Sequence, residues 1–367
     1  MLNRRQFVTS ASLALTACNS SAIRGTTATN NALDRLLLAH AGLPPENDYG
    51  ANHYPMAAEA MSAIGHEFAI PTEWRDGAGM YHGELRRASA IEDVASGLGD
   101  PARHGDWLDH FRNALGRTPW REVIRQWCPV LAPGLAGAMF HGLIRTAHAV
   151  RAIRQRECAA RREELAAGLA YWATCYATLA STGTPRHTTD ETLQAELASV
   201  KHPWLSDRTD VGFHSAMDRL LARPLAPDIR PEIERIAPQQ ELQTTIRAAA
   251  AGFLEMLVQE RNRIWLLHTV TGPAAVGLIL PDVDDPTAST LVEHARQTVI
   301  ALYAAYGAPF VPQQHVRNAT PPWAELVERT VASQSVHGIK LVEALHRCDD
   351  GRDRLFRSVA AQWLEWT

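Results

Sequence analysis

Among the 367 residues there are five cysteines, and no two form a Cys-x-x-Cys pair. That spacing excludes a zinc knuckle or a thioredoxin-like redox motif. No stretch alternates apolar and polar residues with β-branched enrichment, so strands are expected to be rare. A G-x-S-x-G elbow is missing, and no G-x-G-x-x-G stands between a strand and a helix, which argues against a Ser-His-Asp hydrolase and a Rossmann-bound nicotinamide or flavin. The His-x-x-x-His-with-Glu spacing of zinc proteases and the Glu-x-x-His pairs of di-iron bundles are also lacking. After the N-terminus no apolar run reads as long enough to span a bilayer.

Basic excess is lacking as well. Formal net charge is −4, so a phosphate backbone is not an expected partner and no nucleic acid is foreseen. The first residues read differently from the rest. Arg4-Arg5 followed by the short apolar stretch from Phe7 to Ala17 resembles a twin-arginine export signal. Leu15-Thr16-Ala17-Cys18 looks like a lipobox, in which Cys18 would carry the lipid; the alternative is an ordinary cleaved signal with a chance cysteine. Residues 1–17 are thus expected to be a signal, 18–32 a Ser/Thr/Asn-rich tether and 33–367 the folded body, periplasmic and held to the membrane through a lipid anchor only. Twin-arginine substrates fold before export in a reducing compartment, so Cys128, Cys158, Cys175 and Cys348 are expected to be buried thiols.

What is abundant is helical pattern. Apolar spacing and alanine content predict helices over 33–41, 54–64, 106–115, 120–131, 133–156, 161–182, 190–199 and 213–221. The C-terminal half adds 238–257, 261–270, 288–305, 322–331 and 335–361. Thr118-Pro119 and Thr320-Pro321 offer a capping hydroxyl before a first-turn proline, and Gly272-Pro273 and Leu280-Pro281-Asp282 read as stops or turns. The expected fold is all-α, a single compact multi-helix bundle or an α-toroid, with 184–210 as a candidate lid or insertion.

Histidine is the other abundance: sixteen, the side chain best matched to proton transfer near neutral pH. His53 follows Asn52 where a turn hands over to a helix, close to its positive end. His141, Arg145 and His148 stand at i, i+4 and i+7 and so share one helix face, flanked by residues of a buried helix. His268 is read in the last turn of an apolar helix, where carbonyls would favour its protonated form. Lys340 is three residues after His337, and each would depress the other's pKa, leaving His337 neutral and able to act as a base. Each of these has an ordinary alternative as a cap, a surface group or a satisfied core histidine. Four histidines from four helices could also converge on a metal ion, and a haem would need only one of them as an axial ligand.

Taken in order, Asn52-His53-Tyr54-Pro55-Met56, His141-Gly142-Leu143-Ile144-Arg145, His268-Thr269-Val270-Thr271-Gly272 and His337-Gly338-Ile339-Lys340-Leu341-Val342-Glu343-Ala344 resemble the questin oxidase-like family, over about residues 33–361. The resemblance implies an all-helical monooxygenase without bound flavin that opens anthraquinone-type polyketides in a Baeyer–Villiger manner. It implies O2 as co-substrate, a reduced aromatic substrate as electron source, no cofactor, and NADPH consumed at most indirectly. His53, His141, His148, His268 and His337 would supply the base, with Arg145 and Lys340 stabilising anions. The export signal departs from that pattern, since NADPH is not freely available outside the cytoplasm. The competing expectation is a periplasmic lipoprotein that binds an aromatic, haem-like or metal ligand in the same histidine-lined pocket.

Overall fold

The computed structural model describes residues 32–48, 50–81, 85–179, 189–200 and 237–367. The expected signal, Cys18, the tether as far as residue 31 and the 213–221 helix lie outside the described residues, as does most of the 184–210 segment. Within the described residues the chain is mostly helical, and its only sheet is a hairpin pairing Glu46–Asn47 with Gly50–Ala51. The all-α expectation therefore holds.

A helix over 32–40 leads, after the hairpin, to Tyr54–Ala63. His104–Arg117, Trp120–Leu131, His141–Gln155 and Ala159–Thr174 follow. Beyond Asp190–Ser199 come Pro238–Val258, His268–Ile279, Asp285–Tyr306, Trp323–Ser333, Val336–Cys348 and Leu355–Trp366. One hydrophobic cluster runs through nearly all of them, from Ala41 to Trp363, and a smaller one around Leu33, Leu37, Met61 and Ile339 seats the first helix.

Two helices at the centre fit unusually closely. His141–Gln155 lies against Ala159–Thr174, and a Cβ added at Gly142 would stand 2.5 Å from the Trp172 Cα. On the facing helix a Cβ at Gly168 would stand 2.9 Å from the Thr146 Cα. Any side chain at either glycine would force the backbones apart, so these two positions set how far His141 reaches into the interior.

Several expectations change here. The predicted 133–156 helix is interrupted: Ala138, Met139 and Phe140 have φ of 45°, 51° and 69°, and the regular helix starts at His141. The predicted 261–270 helix becomes two, Arg263–Leu266 and His268–Ile279. Gly272-Pro273 does not stop the second; both residues lie inside it. Gly272 serves packing instead, because a Cβ there would stand 2.5 Å from the Phe140 ring. The predicted 335–361 helix is likewise two, separated by the turn around Asp349–Arg354. Thr118 and Thr320 do not cap their helices, whose N-caps are Pro119 and Pro322. Finally, Arg263–Asp282 is by length and composition apolar enough to cross a membrane, contrary to the sequence reading, but 78% of its apolar window is buried inside the protein. It is a central core segment here.

Candidate functional site

His53, His141, His268, His337 and Lys340 meet in one place. The His53 and His337 ring centroids are 4.3 Å apart, His53 and His141 4.9 Å, His141 and His268 4.5 Å, and His268 and His337 6.0 Å. Lys340 Nζ lies 2.8 Å from His53 Nδ1. Three of the histidines stand where a helix begins: His53 is the N-cap of Tyr54–Ala63, His141 the first residue of its helix and His337 the second of Val336–Cys348. His268 sits just past the break between Arg263–Leu266 and its own helix. Three helix starts, with the positive ends of their dipoles, therefore lie at the site, a setting that favours an anion.

Ring-nitrogen partners fix the tautomers. His141 Nδ1 donates to the Ala138 carbonyl at 2.5 Å, and His268 Nδ1 donates to the Trp265 carbonyl at 3.2 Å. Both Nε2 atoms are then bare in the neutral rings, and they face one another at 3.2 Å. His53 Nδ1 accepts from Lys340, which leaves its proton on Nε2. His141, His268 and Lys340 are buried, whereas His53 and His337 are half-buried and form the side nearest solvent.

Among the described residues no carboxylate is hydrogen-bonded to any of the five, and the consequence is electrostatic. Burial, then Lys340 and the neighbouring histidines, hold His53 well below the ordinary histidine range. Burial followed by His268 and Lys340 does the same to His141, and burial with Lys340 to His337. His268 falls to about 3 through burial and the charge of Lys340, so the protonated form anticipated from sequence is overturned; the ring stands at the start of a helix instead of its negative end. Burial brings Lys340 itself down to about 7. The histidines are neutral, and Lys340, which gains or loses its proton near neutral pH, is the strongest base of the cluster.

Arg145 and His148, anticipated on the same face as His141, are not brought to this centre. Arg145 forms a two-pronged ion pair with Glu164, at 2.7 and 2.9 Å. His148 Nδ1 pairs with Glu59 at 2.6 Å. Glu59 also accepts from Arg151 at 2.6 and 2.8 Å, and Arg151 bonds Glu343, which Arg347 reaches at 2.8 Å. This ionic chain ties together the three helices that carry His53, His141 and His337. Of its members sequence reasoning singled out only His148; Glu343 lies inside the quoted fourth motif, and its i+4 partner Arg347 was the available signal. Asn52, read as a cap, accepts from the Tyr54 amide at 3.3 Å and also bonds His40 Nδ1 at 2.9 Å.

The turn that delivers His141 is strained. A non-glycine residue in the left-handed region costs about 1–2 kcal/mol, and three occur in succession. Among the described residues no group of three or more His, Cys, Asp or Glu side chains is arranged to hold a metal ion; the donors that face each other directly are the His141 and His268 pair.

Fold and site define an all-α protein built around a buried cluster of nitrogen bases at converging helix starts. The sequence matches the Questin oxidase-like family over residues 51–345, and the chain belongs to that family. All five site residues fall within the matched span. Membership suggests an oxidoreductase. A comparison with curated proteins gave no match.

Proposed function

We propose that the protein is a monooxygenase that uses O2 on a reduced, phenolic aromatic substrate of the anthraquinone type, inserting oxygen in a Baeyer–Villiger manner. The observation that carries this reading is the convergence of His53, His141, His268, His337 and Lys340 in a site where, among the described residues, no carboxylate is bonded to them. Substrate phenol enters from the His53 and His337 side. Its proton goes directly to the best base present, Lys340, because the histidines are far weaker bases. The resulting phenolate is held by the lysine ammonium and the three helix starts.

The electron-rich anion reduces O2 to a bound peroxide, which attacks a neighbouring carbonyl; carbon migrates to oxygen and gives a lactone. One oxygen atom stays in product and the other leaves as water. The substrate's own two electrons cover the reduction. In this reading Arg145 and His148 position helices and do not touch the substrate. Export and lipid anchoring through Cys18 remain part of the proposal, with a substrate that arrives already reduced.

A second reading is favoured by the facing lone pairs of His141 and His268. Two bare nitrogens at 3.2 Å repel unless a proton or a cation lies between them. Donation of the far ring nitrogen to a backbone carbonyl is the habit of metal-bound histidine, and imidazole suits iron, copper, zinc and nickel. Such an ion would supply Lewis acidity or electron transfer to the same substrate. Elemental analysis of freshly purified protein, paired with O2 uptake on a panel of anthrahydroquinones, separates the readings. Stoichiometric metal with activity lost on chelation supports the second. Turnover by metal-free protein supports the first, and no turnover in any state sinks both.

A further inference from the structure

We propose that the left-handed Ala138–Phe140 turn, clamped by the Phe140 ring on Gly272, is the positioning element that fixes both the tautomer of His141 and its separation from His268. This rests on the reading of those two histidines as part of the reacting centre. Two contacts anchor the turn on one side: a Cβ at Gly137 would stand 1.5 Å from the Cys175 carbonyl oxygen, and one at Gly142 2.5 Å from the Trp172 Cα. On the other side Phe140, fully buried, lies where a Cβ of Gly272 would meet its ring at 2.5 Å. Gly272 is four residues after His268 and so on the same helix face. Phe140 immediately precedes His141. The ring therefore seats the start of one histidine-bearing helix directly on the other.

The turn also aims a carbonyl backwards. With φ of 45° at Ala138 and 51° at Met139, the Ala138 oxygen comes within 2.5 Å of His141 Nδ1. That bond keeps the proton on Nδ1 and leaves Nε2 bare toward His268. An ordinary right-handed helix through 138–140 would put the carbonyl into the i to i+4 ladder instead.

The test is nitrogen NMR of the full chain labelled at histidine, read with steady-state kinetics. Wild type is expected to show His141 protonated at Nδ1 and bare at Nε2. Gly272→Ala pushes the Phe140 ring away and is expected to mix the tautomers and lower kcat about 100-fold, the scale of a 1 Å misplacement, with KM little changed. Phe140→Leu/Gly272→Ala, which makes room for the new methyl, is expected to recover kcat to within about tenfold of wild type. Should Gly272→Ala fail to fold, Phe140→Leu alone removes the seat without adding a clash and must show the same tautomer mixing. A wild-type His141 protonated at Nε2, or variants with unchanged tautomer and kcat, would overturn the proposal. The tautomer measurement needs no substrate, so it decides this proposal even if no phenol is turned over and the oxidase reading falls.

Discussion

The same three helices carry two buried polar regions that behave in opposite ways. At their N-terminal ends stand His53, His141, His337 and Lys340, with His268 from a fourth helix; one to three turns further along stand Glu59, His148, Arg151, Glu343 and Arg347. Burial is similar in both except at Arg347, which is exposed. The difference is the carboxylates. In the second region burial works against Glu59 and Glu343, but the arginines outweigh it and hold both carboxyls below the usual range, so charge is kept and fixed in place. In the first region no carboxylate among the described residues offsets burial, so the histidines are neutral and Lys340 is free to take up a proton near neutral pH. Structural rigidity and chemical readiness are thus separated by where two glutamates fall in the sequence.

The sharpest way to break that contrast is at Lys340. Lys340→Met is expected to lower kcat/KM by about 10² to 10⁴, the range of general-base action, while leaving the protein as stable as wild type or more so. Lys340→Arg settles the role: a guanidinium retains charge but cannot accept a proton, so the loss should match Lys340→Met. If arginine instead restores activity, Lys340 is an electrostatic group and not the base. In wild type, kcat/KM should rise as pH increases through about 7, the region where Lys340 becomes neutral. A profile that falls through that region contradicts the assignment.

Glu59→Ala is the mirror image. It strands Arg151 and His148 in the interior, and breaking a buried pair by removing one partner costs about 3–5 kcal/mol. Denaturant unfolding should show that loss. At temperatures where the variant stays folded, the pH profile should retain its inflection near 7; a shifted inflection would mean that the two regions are electrically coupled.

Stability against pH separates the regions more gently. Lys340 titrates at about 7 when folded and near 10.5 when unfolded, so the unfolded state binds more protons across that window. Stability should therefore rise with pH from about 7 to 9, and fall again as pH is lowered. The buried histidines act in the same sense at lower pH: His40 at about 4 and His104 and His268 at about 3, against 6.5 unfolded, withdraw stability as pH falls below 6.5. Thermal melts of Lys340→Met should be flatter than wild type between pH 7 and 9 and parallel to it below 6. Equal slopes in both windows would show that Lys340 is not buried as a free base.

How much of this was open to a reader of the sequence divides along the same line. Helices such as Trp120–Leu131 and Asp190–Ser199 follow from local spacing, and their bounds agree with the pattern. The four histidine motifs were visible as a set through family resemblance, but helical spacing alone pointed to the wrong companions for His141. It grouped His141 with Arg145 and His148 because they share a face; it could not see that Glu164 and Glu59, from other helices, claim those two. Nor could it see the turn at 138–140, since Ala, Met and Phe carry no signal for left-handed backbone and the conformation is imposed by Cys175 and Gly272 through space. Gly272-Pro273 misled for a related reason: it reads as a stop, yet it lies inside the His268–Ile279 helix and packing against Phe140 explains the glycine.

The smallest expected effect concerns that turn. At a position already in the left-handed region, Ala138→Gly releases about 1 kcal/mol of strain, while the added freedom of the unfolded chain removes about 0.4–1 kcal/mol. The two nearly cancel, so Tm should stay within a few degrees of wild type. Ala147→Gly, buried in the regular part of the His141–Gln155 helix, has only the unfavourable side and should lose about 1 kcal/mol or more. Should Ala138→Gly prove the more damaging of the two, the turn is not strained and its carbonyl is not held by force. Activity adds the second half of the comparison. A glycine at 138 lets the carbonyl that accepts from His141 Nδ1 wander, so kcat should fall a few-fold with no loss of stability. The ionic chain around Glu59 has no position where a substitution could do that, because there every group that orders the structure is also one that stabilises it.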